Sequence, residues 1–222
     1  DKLESSIESL KNLDALDTYS NITNTGKRMI KMPVSVRSAR MIIEAEKLGC
    51  VTEVIKAVAI LETGSMVNFY ADKNDWEKFS YSDFTTEGES DIIAELNIFN
   101  SIVKYRFENL QYKGKGLSKK NFFKAKDLVN KLTSVLTGLI DFNDCNVSKD
   151  NINRSIITGI LGNIYYKYGD SVYDQDDKSY KLSKNTCCRY SPVRFCFGFP
   201  KIITYKDRWG LNNELNIIDN VI

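Results

Sequence analysis

The hydrophobic period changes at Gly162, and that change restricts the chain to a helical body followed by a strand-rich end. Before it, apolar residues recur every three or four positions, as in Leu3, Ile7 and Leu10, or Ile92, Leu96, Phe99 and Val103. That spacing lines one face of an α-helix. After it, Phe195, Phe197 and Phe199 alternate with Arg194, Cys196 and Gly198, which is the period of a strand. Tyr165, Tyr166, Tyr168, Val172, Tyr173, Tyr180 and Leu182 are broken by Gly-Asp and Asp-Gln-Asp-Asp turn signals. The fold class is therefore α+β, with helices over about 1–161 and strands over about 163–222. No internal repeat is present.

Helix ends are marked by residues that can satisfy free backbone groups. Thr25-Gly26-Lys27 opens a short helix that Pro33 stops, because the residue before a proline is pushed out of the helical region. Ser35, Thr52, Ser118 and Asp150 are expected N-caps, and Gly49 and Gly64 are expected helix stops. The helix after Ser118 is expected to turn Phe122, Phe123, Leu128, Val129, Leu132, Val135, Leu136 and Leu139 toward the core. Residues 65–90 are aromatic and acidic with little period and read as a surface excursion or short irregular helices.

Composition removes several classes of chemistry. The chain has no histidine, so it cannot assemble a Ser-His-Asp or Cys-His site or use a histidine base. No phosphate-binding G-x-x-x-x-G-K-[ST] loop occurs: before Gly26-Lys27, Asn21 stands at the first glycine position, and Arg28 follows where Ser or Thr is needed. The chain alone is therefore expected to be non-catalytic. No apolar run reaches the roughly 20 residues of a membrane span. Five cysteines without regular spacing read as reduced thiols of a cytoplasmic protein. A zinc site from Cys187, Cys188 and Cys196 lacks both a C-x-x-C pair and a histidine, so no metal is expected.

The net charge is only +2, but it is segregated. Residues 70–100 carry a net −6, residues 101–131 a net +7 and residues 181–208 a net +6. The last segment is interleaved with Tyr190, Phe195, Phe197, Phe199 and Tyr205. Lysines neutralise phosphates without reading sequence, and aromatics on an open strand can stack splayed bases. The plainer reading is solvated helix lysines and the core aromatics of a small barrel.

The order of short motifs is more specific than any of these. Leu13-Asp14-Ala15-Leu16-Asp17 is followed by Ile22-Thr23-x-x-Gly26-Lys27-Arg28-Met29, then by Met32-Pro33-x-x-x-Arg37-x-x-Arg40-Met41-Ile42. This series resembles the helicase-associated region that follows the motor of DEAH-box and HrpA-type helicases, written there as L-x-x-L-G-A-L-D, L-T-x-x-G-x-x-M-A and L-P-L-D-P-x-x-A-K-M-L. The run from Gly49 to Leu61, Glu89-Ser90-Asp91 through Leu96-Asn97, Asn121-Phe122-Phe123 and Ile152-Asn153-Arg154 through Gly159 are similar to its later motifs. Asp14 stands where the family has glycine and Val36 where it has a second proline, and the Trp-Cys before N-F-L is missing.

The resemblance implies a degenerate winged helix over 1–48, a helical ratchet bundle over 49–147 and an oligonucleotide-binding (OB-like) β-barrel over 148–222. It implies an accessory region of an ATP-dependent helicase, one that guides single-stranded nucleic acid, with RNA expected. ATP and magnesium would belong to RecA-like motor domains absent from this chain, and an opening at these motifs reads as a C-terminal piece. On charge alone, the expected phosphate contacts are Lys119, Lys120, Lys124, Arg154, Lys184, Arg189 and Arg194. Two other readings stand beside this one. The first is a stand-alone winged-helix binder reading DNA with the Thr52–Glu62 helix. The second is an interaction scaffold whose acidic 70–95 segment docks a basic partner.

Overall fold

A computed structural model gives the fold. It describes residues 2–67, 84–85, 90–109, 116–169, 171–182, 186–187, 194–206, 212–219 and 222. Most of the acidic 70–95 segment and the Lys113–Lys115 loop lie outside the described residues. The elements are helices α1 (Lys2–Asn12), α2 (Asn24–Met29), α3 (Val36–Leu48), α4 (Val51–Thr63), α5 (Asp91–Asn109), α6 (Lys119–Leu136) and α7 (Lys149–Thr158), then strands β1 (Ile164–Tyr168), β2 (Ser171–Tyr173), β3 (Ser179–Leu182), β4 (Phe195–Phe197), β5 (Phe199–Lys206) and β6 (Asn212–Asp219). Contacts divide the chain into two compact units, Asp1–Phe79 with Glu95–Gly162 and Ser80–Ala94 with Asn163–Ile222. The division at Gly162 coincides with the change of hydrophobic period. α7 falls in the first unit, although the family pattern groups it with the strands.

In the first unit α4 is the central helix. Val51, Val54, Ile55, Ala57, Val58, Ala59 and Ile60 are all buried, and α3, α6 and α7 each pack against it. Burial around so much of its circumference follows from a run whose polar residues, Thr52, Glu53, Lys56, Glu62 and Thr63, are outnumbered by apolar ones. It also removes α4 as a groove-reading helix, since Lys56 is engaged by Glu53 at 2.6 Å and Asn100 at 2.9 Å. The helix on which the stand-alone DNA-reader alternative relies is thus largely buried. α3 and α7 approach closely at Gly159, where a Cβ would lie 2.5 Å from Met41 Cε and 2.7 Å from the Arg37 carbonyl oxygen.

Local capping explains most helix ends. The Ser35 and Ser118 hydroxyls accept the N–H of Ser38 and Asn121, and Gly49 ends α3 in the left-handed region at φ 69°. Two expected caps differ. α7 is capped by Ser148 rather than Asp150. α4 begins at Val51, one residue before Thr52, and Cys50 gives it no side-chain cap. Instead the Asp144 carboxylate, 92 positions away, accepts the Thr52 N–H at 3.0 Å and the Thr52 hydroxyl. A distant carboxylate here satisfies an orphan donor that the local sequence leaves open.

In the second unit six strands form one sheet in the order β4-β1-β2-β3-β6-β5, antiparallel except for the β3–β6 pair. Tyr165, Val172, Leu182, Cys196 and Ile218 form its core, with Tyr180 packed against them. The two edge strands, β4 and β5, are successive segments joined through Gly198. Phe197 pairs with Ile164 of β1, and its backbone also exchanges two hydrogen bonds with Ile222, at 3.1 and 2.9 Å. Phe197 thus has β1 on one side and Ile222 on the other, while β5 pairs with β6. Cys196 faces the core and Phe195 is exposed, while Phe197 and Phe199 are half-buried, so the plainer expectation for the aromatic stripe fails at Phe195.

Candidate nucleic-acid interface

α6 is anchored at its start and open along one side. The Ser118 N–H donates to the Met66 carbonyl at 2.6 Å, and the Asn121 amide donates to the Ser65 carbonyl at 2.7 Å. Glu95, fully buried, holds the same turn by accepting the Ser65 hydroxyl and the Met66 N–H. Phe122, Ala125, Leu132 and Leu136 form the buried seam of the helix. The Phe122 ring lies 5.2 Å from Phe99 and 5.3 Å from Phe107.

Away from that seam α6 carries Lys119, Lys120, Lys124, Lys126 and Lys131 against the single acid Asp127. All five lysines are exposed. Helical geometry puts Lys120, Lys124 and Lys131 along one stripe, since i, i+4 and i+11 share a face. The ammonium of Lys119 sits 5.5 Å from the centroid of the Phe107 ring, a cation–π contact that holds it at the rim of the aromatic cluster. Ion pairs among the described residues fall elsewhere, joining Arg28 to Glu46, Arg40 and Lys47 to Glu44, and Lys56 to Glu53. Burial works to raise the Glu44 carboxyl, but its hydrogen bonds and charge contacts with Arg40 and Lys47 outweigh that and hold it below its ordinary value. The Arg28–Glu46 pair, at 2.6 Å, ties α2 to α3, while Glu46 also accepts the Asp141 N–H at 2.7 Å.

The expected phosphate contacts separate as follows. Lys119, Lys120 and Lys124 share α6. Arg154 is exposed on α7, in the same unit, beside the buried Ser155 and Ile156. Both helices pack on α4. Arg194 is exposed in the second unit at the start of β4, where its carbonyl accepts the Lys167 N–H at 2.7 Å. Lys184 and Arg189 lie outside the described residues.

Sequence reasoning does not separate every exposed apolar residue from the core. Phe123, Val135 and Leu139 are exposed, against the expectation that they face inward. Adjacent residues on a helix differ by about 100°, so Phe122 and Phe123 cannot both lie on a narrow seam. On the sheet, Tyr166 pairs with Phe195 on one side and Tyr173 on the other, and the Tyr166 and Tyr173 rings stack at 5.2 Å. The Tyr166 hydroxyl donates to Asp177, which raises its pKa.

Burial pushes the Cys196 thiol up to about 11. The Cys187 N–H donates to Asp91 at 2.8 Å, and Cys188 lies outside the described residues. Among the described residues no three His, Cys, Asp or Glu side chains are grouped to hold an ion. No described helix is long and apolar enough to cross a membrane.

Comparison with known families settles the first part of the chain. Residues 6–34 match the winged-helix model of the helicase associated domain, and residues 35–94 match its ratchet-like model. Residues 6–94 carry the two pieces of a helicase-associated domain. The two matches meet between Val34 and Ser35, and α3 lies within the ratchet-like match. Its packing against α4 and α7 accords with that division. The chain is also 22% identical over 175 residues to the ATP-dependent RNA helicase DHX33 of Drosophila melanogaster, an alignment covering 78% of this chain. The alignment spans 25% of that relative. In this helicase-associated region the family motifs acquire physical roles. Thr23 caps α2 by accepting the Gly26 N–H at 2.9 Å, and Asp17 closes the turn before it by accepting the N–H groups of Tyr19 and Asn21.

Proposed function

We propose that the chain is the accessory region of an ATP-dependent helicase, guiding a single strand, RNA in particular, and coupling it to RecA-like motor domains of its parent polypeptide. ATP and magnesium belong to those motor domains, and the setting is cytoplasmic, which suits the free thiols of Cys50, Cys145, Cys187 and Cys196. The modules are a winged helix, a ratchet bundle and an OB-like barrel. At Phe197 the backbone pairs with β1 on one side and bonds to Ile222 on the other, which supports the last of these. The observation that carries the reading is the open face of α6, with five lysines, one acid and no described ion pair. Such a face attracts a phosphate backbone without reading its bases.

Binding of a fluorescent single-stranded oligonucleotide, titrated against salt, tests this. The whole chain is expected to bind more weakly as salt rises. Replacing Lys119, Lys120 and Lys124 by glutamine should reduce the slope of log K against log salt by about 2, since each neutralised phosphate contributes roughly 0.7 to the slope for a single strand. Binding that is equal at low and high salt would reject the electrostatic mode. Parallel RNA and DNA strands of one sequence show whether the 2′-hydroxyl is read.

A further inference from the structure

Phe123 is 52% exposed on a helix whose apolar seam is already filled by Phe122, Ala125, Leu132 and Leu136. One exposed apolar side chain is ordinary on a protein surface, but the surroundings of this one are not. Its ring is backed by Phe122, with centroids 5.4 Å apart and steeply inclined planes, and by Phe107 at 6.3 Å. Phe122 is itself buried and rests on Phe99. The ring is therefore held by a packed aromatic cluster while about half of its surface meets solvent. One helical turn before it stand Lys119 and Lys120, and one turn after it Lys126 and Asp127. The rim thus holds three lysines against one acid and is net positive. It matches a ligand that presents a flat π-surface flanked by negative charge.

We infer that Phe123 is a stacking platform for one unpaired base, with Lys119, Lys120 and Lys126 neutralising the phosphates on either side of it. The inference rests on the proposed binding of a single strand and adds where a base is received and why the strand must be unpaired. In a duplex the base faces are already stacked on one another, whereas a single strand can turn one onto an aromatic ring. Base stacking of this kind tolerates any base, so the site contributes affinity and register rather than sequence choice.

A single-stranded oligonucleotide containing one 2-aminopurine, titrated with the whole chain at fixed salt, reads both parts separately. Stacking quenches the probe on binding. Phe123→Leu is expected to abolish the quench and weaken binding roughly tenfold, with an unchanged salt slope and an unchanged unfolding midpoint. Phe123→Trp should restore the quench. Lys120→Gln with Lys126→Gln should lower the salt slope and keep the quench. If Phe123→Leu binds and quenches like the parent chain, the stacking platform is wrong and the single-strand reading stands. If the parent chain binds no single strand at any salt, both are wrong.

Discussion

Replacing Gly26 by alanine is expected to destabilise the helical unit by about 3 kcal/mol, at the upper end of overpacking costs. A Cβ at this position would lie 2.3 Å from the Ala15 carbonyl oxygen, 3.1 Å from its carbon and 2.9 Å from Ile22 Cγ1. The first obstacle is backbone, and it is fixed. The Ala15 carbonyl accepts the Thr23 N–H at 3.0 Å, and the Thr23 hydroxyl donates to the Asp14 carbonyl at 2.5 Å. Moving Ala15 away would therefore break the closure that places α2. Gly162 is the control, because a Cβ there meets nothing within 4 Å. Urea unfolding should show a large drop in midpoint for Gly26→Ala and little change for Gly162→Ala. Equal midpoints would show that the 15–26 contact does not carry the fold of this segment.

Asp91→Ala is expected to cost a similar amount, about 3 kcal/mol, by removing the carboxylate that accepts from the buried Thr186 hydroxyl and the half-buried Cys187 N–H. Asp91 is almost fully buried at the start of α5, where its Oδ1 accepts the Thr186 hydroxyl at 3.0 Å and the Cys187 N–H at 2.8 Å. The bond to Thr186 joins residues 95 positions apart within the strand-rich unit. Hydrogen bonds to a carboxylate are worth about 1.5–3 kcal/mol each, and a buried group that loses its partner adds a desolvation penalty. Asp91→Asn keeps one acceptor oxygen and should lose less than alanine does. Amide exchange at Cys187 distinguishes the cause. Its protection should fall in Asp91→Ala before global unfolding, and unchanged protection would contradict the assigned role.

These two residues mark how far the sequence can be read. Gly26 is legible because a motif names it, and the structure supplies the reason in a backbone oxygen that leaves no room for a side chain. Asp14 shows the same logic from the other side. It stands where the family has glycine and adopts φ 57°, the left-handed region. Aspartate tolerates that region better than most side chains, and its carboxylate accepts the Thr25 hydroxyl at 2.9 Å. Helix existence, the break at Gly162 and the caps at Ser35 and Ser118 follow from local chemistry. The Asp144 cap on α4 and the Asp91 link to residues 186–187 do not, since both join positions about 90 apart. The orientation of Phe123 escapes the sequence because apolar character alone does not fix which of two adjacent residues meets the seam. The sheet order, with its β3–β6 parallel pair and the junction at Gly198, is equally a property of long-range pairing.

The central claim is that the open face of α6 holds the strand, and lysine footprinting tests it without any substitution. The whole chain is acetylated under limiting reagent with and without a single-stranded oligonucleotide, and each lysine is quantified by mass spectrometry. Protection of Lys119, Lys120, Lys124 and Lys126, with Lys2, Lys27 and Lys31 reacting as before, is the predicted result. Protection confined to those last three, or none on α6 under conditions where the strand is bound, would contradict the account.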